Sequence, residues 1–219
     1  MKESDVEPNN TISILIVEDH PLVREGLNAV LSYEHDFCVV GEAENGVQAV
    51  LQYEKLQPDI VLMDLLMPEM DGSEAIRIIH NKNPEQKIII LTSVDNIKIL
   101  QAVVRAGASG YVSKNAKASE LIKTIRAVYS GSVVLPMYIL QSILADTVLV
   151  SPKNGIETLT TREQEVLRLL GQGLNNDEIG NKLFISPSTV SVHTGRILHK
   201  LGLRNRAQLA LFCLQNKQE

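Results

Sequence analysis

In the first half of this chain, the residues able to do chemistry stand at the ends of short apolar runs. Glu18 and Asp19 follow the first run, Asp64 follows the third, Thr92 closes the fourth and Lys114 comes just after the fifth. Three carboxylates brought close together repel one another, and a divalent cation relieves that repulsion. A hard ion such as Mg²⁺ prefers oxygen ligands of this kind. These residue types therefore predict a magnesium site beside a reactive carboxylate.

Phosphoryl transfer is a reaction that such a site can perform. A carboxylate such as that of Asp64 can act as a nucleophile and become an aspartyl-phosphate. The metal would neutralise charge on the transferring group, while Lys114 and the Thr92 hydroxyl would donate to its oxygens. Each residue alone reads as an ordinary loop polar group, but complementary groups at four strand ends together predict a site.

An α/β fold would bring these residues together. The apolar runs have the length of buried strands, and the segments between them repeat apolar residues at helical spacing. Five such units predict a flavodoxin-like, doubly wound, five-stranded parallel sheet with helices on both faces. In a 2-1-3-4-5 sheet the strands that carry the chemistry are neighbours, and ligands bind beyond their carboxyl ends. The strands are expected at Ile12–Val17, Cys38–Gly41, Ile60–Met63, Ile88–Leu91 and Gly110–Val112, and the helices at Pro21–Leu31, Gly46–Glu54, Ser73–His80, Asn96–Arg105 and Ala118–Val128.

The second half of the chain is expected to be all-α. Residues 131–156 are punctuated by Gly and Pro and predict a linker with a short helix at Met137–Ala145. This divides the chain into a first domain over 11–130, the linker, and a second domain over 157–219. The four helices of the second domain are expected at Thr161–Leu170, Asn176–Leu183, Pro187–Leu201 and Arg206–Leu214.

Composition and charge favour a two-domain globular protein that binds DNA. The chain has 219 residues, of which 44% are apolar and 21% charged, as in ordinary globular proteins. Residues 157–219 carry eight Lys/Arg against six Asp/Glu, and residues 1–156 carry thirteen against twenty. Within 186–206 there are four basic residues and no acid, a pattern that attracts a phosphate backbone but is also found on solvated faces.

The compartment is predicted from two absences. The polar N-terminus has no signal-peptide pattern, and the apolar stretch Val133–Val150 is interrupted by polar residues and is barely long enough to span a bilayer. We therefore expect a cytoplasmic protein. Cys38 and Cys213 lie far apart in apolar segments and are expected to be buried free thiols.

A short turn, Phe184-Ile185-Ser186, separates the second and third helices of the C-terminal domain, and the third helix carries basic residues. This is the helix-turn-helix arrangement, in which the second helix of the pair reads the major groove. A plain four-helix bundle with a charged face is the alternative that the pattern leaves open.

The motifs of the first 130 residues resemble the receiver domain of two-component response regulators. They are Val17-Glu18-Asp19-His20-Pro21, Met63 to Gly72 around Asp64, Leu91-Thr92-Ser93 and Gly110 to Lys114. The resemblance implies that Glu18, Asp19, Asp64 and the backbone carbonyl of Leu66 hold Mg²⁺ and that Asp64 is the phosphoacceptor. It further implies that Lys114 pairs with the phosphate and that Thr92 and Tyr111 form the switch pair.

The C-terminal segment resembles the LuxR-type helix-turn-helix, so the whole chain is identified as a member of the NarL/FixJ class. The matching residues include Leu159 to Leu167, Ser186 to Val190 and Lys200-Leu201-Gly202. Ser191 stands where the family usually has a phosphate-contacting lysine, Asp177 replaces a commonly basic residue, and Gly180 replaces a common alanine. Gly195 lies in mid-helix, at a cost of about 1 kcal/mol relative to Ala. The expected DNA contacts are Ser188, Thr189, Ser191, Val192, His193, Arg196, Lys200 and Arg204.

The resemblance implies a DNA-binding transcriptional regulator, not an enzyme, that a sensor histidine kinase switches by phosphorylating Asp64. Double-stranded DNA, the kinase, a second copy of the chain in the phosphorylated state and RNA polymerase are the expected partners. One alternative is a DNA-binding protein whose receiver acts without phosphorylation as an interaction platform. Another is an aspartate-nucleophile phosphatase, but that chemistry wants an acid two residues after the nucleophile, where this chain has Leu66.

Overall fold

The computed structural model describes residues 11–146, 156–203 and 205–215. Its first half contains one five-stranded parallel sheet of order β2-β1-β3-β4-β5. This confirms the predicted order, in which β1, β3, β4 and β5 are consecutive neighbours. The strands are β1 (Ile12–Val17), β2 (Phe37–Ala43), β3 (Ile60–Met63), β4 (Lys87–Thr92) and β5 (Gly110–Ser113).

Helices cover both faces of the sheet because its strands are apolar on both sides. In β1, Leu15 and Val17 belong to one core while Ile14 and Ile16 belong to the other, as the period of two along a strand requires. These helices are α1 (Pro21–Ser32), α2 (Gly46–Leu56), α3 (Gly72–Lys82), α4 (Ile97–Ala106) and α5 (Ala118–Tyr129).

The segment predicted as a linker begins as part of the first domain. Val134 forms a parallel bridge with Gly110 at the edge of β5. It leads into α6 (Met137–Asp146), which packs against α4 and buries Ile139 and Ile143 in the core. The part of the apolar stretch that the structure describes, through Ile143, is therefore explained by packing on this domain.

The second domain is a bundle of four helices with its own core. A 3₁₀ turn at Ile156–Thr158 precedes α7 (Thr161–Leu170), α8 (Asn176–Leu183), α9 (Pro187–Leu201) and α10 (Arg206–Gln215). Capping boxes begin two of them: Thr160 with Glu163 for α7, and Asn175 with Glu178 for α8, which satisfies first-turn N–H groups. The apolar stripes of all four helices meet in a core separate from the two sheet cores.

One expectation about the thiols is wrong. Cys213 is buried, but Cys38 is exposed, because it lies on β2, the strand at the edge of the sheet.

Among the helices of the described residues, none combines the length and the apolar character that crossing a membrane requires.

Candidate functional site

The carboxyl ends of β1 and β3 hold two buried carboxylates, Glu18 and Asp64, which are 0% and 2% exposed. Lys114, just beyond β5, reaches between them. Its Nζ lies 2.7 Å from Asp64 Oδ2 and 2.7 Å from Glu18 Oε2. Burial alone would lower the pKa of Lys114, but its hydrogen bonds to Asp64 and Glu18 raise that pKa above the ordinary value. The ammonium group is therefore fixed in its charged form.

Backbone packing fixes the position of Asp64. Its N–H donates to Val17 O at 2.9 Å, and its Oδ1 accepts from Leu65 N at 2.7 Å. The loop after it returns so closely that a Cβ on Gly72 would collide with the Asp64 carbonyl oxygen, while Gly72 N donates to Leu65 O at 3.1 Å. The second Asp64 oxygen is thereby turned toward Lys114.

Asp19 adds a further carboxylate beside Glu18. Ligand atoms of Glu18, Asp19 and His20 all lie within 4.8 Å of one another. Glu18 Oε2 and Asp19 Oδ1 are enclosed, and their contacts are ion pairs with Lys114 and His20. Carboxylate oxygens with spare lone pairs are the ligands that Mg²⁺ prefers, so the donor set fits that ion. Attraction by Asp19, with hydrogen bonds to both acids, raises the pKa of the exposed His20 ring.

The two residues of the expected switch pair lie on adjacent strands, Thr92 at the end of β4 and Tyr111 within β5. Thr92 is 1% exposed, and its Oγ1 accepts from Val94 N at 3.3 Å. The backbone N–H of Lys114 donates to the carbonyl oxygen of Thr92 at 3.1 Å, so both residues are held at the carboxyl ends of the strands. Tyr111 is half-buried on β5. Burial, with smaller effects of Tyr138 and Asp95, raises the pKa of its hydroxyl.

Helix α9 presents a narrow outward face. Ser188, Val192 and Arg196 are exposed and spaced four residues apart, so they form one line along the helix. Thr189 and His193 are half-buried beside that line. The opposite side is apolar and lies in the bundle core, with Val190, Thr194, Ile197, Leu198 and Leu201 buried.

Two of the residues expected to contact DNA are bonded to other side chains of the protein. Lys200 Nζ lies 2.6 Å from Oε2 of Glu163, whose side chain is 4% exposed. Ser191 Oγ accepts from Asn176 Nδ2 at 2.9 Å. Arg204 lies outside the described residues. The capping box predicts that Glu163 turns back toward Thr160, but nothing in the sequence indicates its pairing with Lys200.

The flank of α9 that carries Ser191 and Gly195 meets the first domain. A Cβ on Gly195 would lie 3.3 Å from the carboxylate of Glu85, in the loop before β4. Asn176 N donates to Ser130 O at 2.9 Å, and Arg206 donates to Asn176 Oδ1 at 2.8 Å. Burial lowers the pKa of Arg206 to about 10, with Glu85 acting against the shift. Sequence analysis missed this contact, although Ser191 and Gly195 are two of the family departures.

Comparison with known proteins agrees with this geometry. The family model described as "Response regulator receiver domain" matches residues 14–126, and that described as "Bacterial regulatory proteins, luxR family" matches residues 157–213. The chain belongs to the response regulators that join a receiver to a LuxR-type DNA-binding domain.

Known proteins match this chain over nearly its whole length. The oxygen regulatory protein NreC of Staphylococcus aureus is 38% identical over 213 residues, covering 94% of this chain and 98% of NreC. The response regulator ChrA of a heme-sensing two-component system is 34% identical, with 95% of this chain and 98% of ChrA covered and a TM-score of 0.51. A structure of RcsB dimers bound to DNA is 30% identical, with 95% and 100% covered and a TM-score of 0.55.

Proposed function

We propose that Asp64 accepts a phosphoryl group from a partner histidine kinase and thereby controls DNA binding by the C-terminal domain. The observation that carries the proposal is that Lys114 forms ion pairs with both Asp64 and Glu18, two buried carboxylates at the carboxyl ends of the strands. Leu65 N and Lys114 Nζ hold the two oxygens of Asp64 in place, and a carboxylate oriented in this way can act as the nucleophile toward phosphorus.

In the transfer, a bond forms between phosphorus and an Asp64 oxygen while the bond from phosphorus to the kinase's histidine nitrogen breaks. Mg²⁺, held by Glu18, Asp19, Asp64 and the carbonyl of Leu66, would neutralise charge on the phosphoryl group. Lys114 donates from its ammonium group to one phosphoryl oxygen, and the Thr92 hydroxyl donates to another. His20 is exposed beside the acids, and its ring Nδ1 lies 2.8 Å from Asp19 Oδ1 and 3.2 Å from Glu18 Oε1.

The proposed switch uses Thr92 and Tyr111, which lie on the neighbouring strands β4 and β5. When Thr92 turns toward the phosphoryl group, it vacates space on the Tyr111 side, and the half-buried tyrosine can rotate inward. The new charge thus biases a receiver with two arrangements.

DNA is read by α9. Ser188, Val192 and Arg196 are the residues of its exposed line and the best candidates for contact with base edges, with Thr189 and His193 beside them. The major groove is about 12 Å wide and just admits a helix of about 10–12 Å diameter. The Glu85 loop against Gly195 therefore has to leave before α9 can enter the groove, and the receiver restrains DNA binding until phosphorylation.

The assembled regulator is proposed to act in the cytoplasm as a phosphorylated homodimer, with RNA polymerase as a further partner. Because RcsB binds DNA as a dimer, we expect two half-sites about one DNA turn apart. The division into a receiver, on which α6 packs, and a DNA-binding domain over 157–219 is part of the same proposal.

Phosphorylation with acetyl phosphate and Mg²⁺, followed on phosphate-affinity gels, tests the site. Asp64→Asn should give no shifted band, and Asp19→Asn should require much more Mg²⁺ for the same yield. A normal shifted band from Asp64→Asn would remove Asp64 from this role. Selection of bound genomic fragments with and without the phosphoryl donor separates this function from a receiver that acts only as an interaction platform.

A further inference from the structure

One buried amide joins the two domains through the ends of two helices. Asn205 is 2% exposed. Its Nδ2 donates to Val104 O at 3.0 Å and to Arg105 O at 3.4 Å, in the last turn of α4. Its Oδ1 accepts from Gln208 N at 2.8 Å, in the first turn of α10. The same side chain therefore caps the C-terminus of a receiver helix and the N-terminus of a helix in the DNA-binding domain.

This arrangement is favourable for two physical reasons. The last carbonyls of a helix and its first N–H groups lack partners within that helix, so a donor at one end and an acceptor at the other satisfy both. The negative end of the α4 dipole also faces the positive end of the α10 dipole. Next to Asn205, Ala207 is 1% exposed and packs in the same core cluster as Leu100, Val103 and Val104 of α4, which keeps water away from the amide.

The other end of α4 leads to the phosphoacceptor pocket. The helix begins at Ile97, five residues after Thr92, the last residue of β4. A helix of ten residues is about 15 Å long and moves as a rod. A displacement of α4 that began near Thr92 would therefore reach the carbonyls that Asn205 caps.

We propose that Asn205 is the positioning residue that couples the state of the receiver to the docking of the DNA-binding domain. With the cap in place α4 holds α10, and when α4 shifts the cap is lost and the C-terminal domain is released. Because coupling between two sites is reciprocal, DNA that draws this domain away from α4 also favours phosphorylation of Asp64. This inference rests on the proposed function for its link to phosphorylation, but not for the docking itself.

Asn205→Asp removes the bond to α4 and keeps the bond to α10, so it tests the two hydrogen bonds separately. Aspartate is a good N-cap, so it keeps the bond to α10. Its carboxylate has no donor for Val104 O and is repelled by the negative end of α4. The matched control is Asn175→Asp, since Asn175 Oδ1 caps α8 in the same way by accepting from Glu178 N at 2.9 Å. Asn205→Ser is a second variant, which keeps an N-cap acceptor but is too short to reach α4.

X-ray scattering from the unphosphorylated full-length protein measures docking directly. Both Asn205 variants should enlarge the radius of gyration, because losing the bond shifts domain opening by roughly tenfold. The Asn175→Asp control should match the unaltered protein. Urea unfolding of each variant checks that α10 and its domain remain folded; if Asn205→Asp unfolds, the uncharged serine variant decides.

Phosphorylation rates with acetyl phosphate test the coupling. A bound DNA fragment should accelerate the unaltered protein several-fold, on the order of the coupling factors known for linked sites. The Asn205 variants should be fast without DNA and insensitive to it. If both Asn205 variants have the same radius of gyration as the unaltered protein, the inference is overturned. Enlarged dimensions without phosphorylation of Asp64 would instead sink the proposed function and leave the docking role intact.

Discussion

Two lysines, one in each domain, neutralise buried acids in this molecule, and they do so under different conditions. Lys114 lies between two buried carboxylates, and Asp19 is a third acid beside Glu18. Lys200 faces a single buried carboxylate, that of Glu163, which also accepts from the Thr160 N–H at 2.8 Å. Each contact is about as short as the other, so distance does not distinguish a functional lysine from a structural one.

The balance of charge distinguishes them. Around Lys200 a single carboxylate faces a single ammonium group, so the two charges balance. Around Lys114 the acids outnumber the base, which is tolerable only in a site that takes up a cation or changes its charge during function. Removing Lys114 should therefore change the chemistry of the site, whereas removing Lys200 should lower the stability of the bundle.

Lys114→Ala should give the largest effect. We expect phosphorylation by acetyl phosphate to slow by about a hundredfold, as when one electrostatic donor to a developing charge is removed. Apparent Mg²⁺ affinity should rise several-fold, because three acids are left without their base. Metal titration and phosphate-affinity gels measure both, with the exposed Lys117→Ala as control. A variant that is phosphorylated normally would mean that Lys114 serves only to neutralise Glu18.

Lys200→Ala should act on stability. It leaves the Glu163 carboxylate buried without its cation, and since Lys200 is about one-third exposed we expect a loss of about 1–2 kcal/mol. Urea unfolding of the C-terminal domain measures the loss, and a double-mutant cycle with Glu163→Gln isolates the pair.

The same variant also tests whether Lys200 contacts DNA. A phosphate-contacting lysine would lower the slope of log affinity against log salt by about one. We expect that slope to be unchanged in Lys200→Ala, whereas Arg196→Ala should alter sequence preference. A reduced slope at unchanged stability would restore Lys200 to the DNA interface.

The pH dependence of the C-terminal domain should give the smallest effect. Burial would raise the pKa of Glu163, but hydrogen bonds from Lys200 and Thr160 outweigh it and hold that pKa below the ordinary 4.5. A carboxyl with a lowered folded pKa contributes stability above its unfolded pKa and loses it as pH falls through the folded value. Unfolding free energy should therefore drop below about pH 4.5. In Glu163→Gln this drop should be shallower, and an identical pH profile would count against the pair.

Much of the receiver could be predicted from sequence because its signals are local. Strand ends follow from apolar runs, and a parallel sheet of known order then places Glu18, Asp64, Thr92 and Lys114 at one edge. The outward line of α9 is equally local, since spacing by four alone separates Ser188, Val192 and Arg196 from the buried stripe.

What sequence could not supply is the choice of partner between distant segments. Nothing local indicates that Asn205 bonds to Val104, about a hundred positions earlier, or that Lys200 bonds to Glu163 rather than to phosphate. The packing of α6 on α4 is likewise a contact between distant segments that the sequence does not indicate. An apolar stripe predicts that a helix is buried, but not against which surface.

The absence of a side chain at Gly72 has a consequence for genetics. Because a Cβ there would meet backbone atoms of Asp64 and Leu65, which cannot rotate aside, substitution must push the loop apart. A screen for loss of signalling would recover changes at Gly72 as readily as at Asp64, although Gly72 carries no reactive group. Position 72 would score as catalytic in such a screen, and a conservative Gly72→Ala would be as damaging as a drastic replacement.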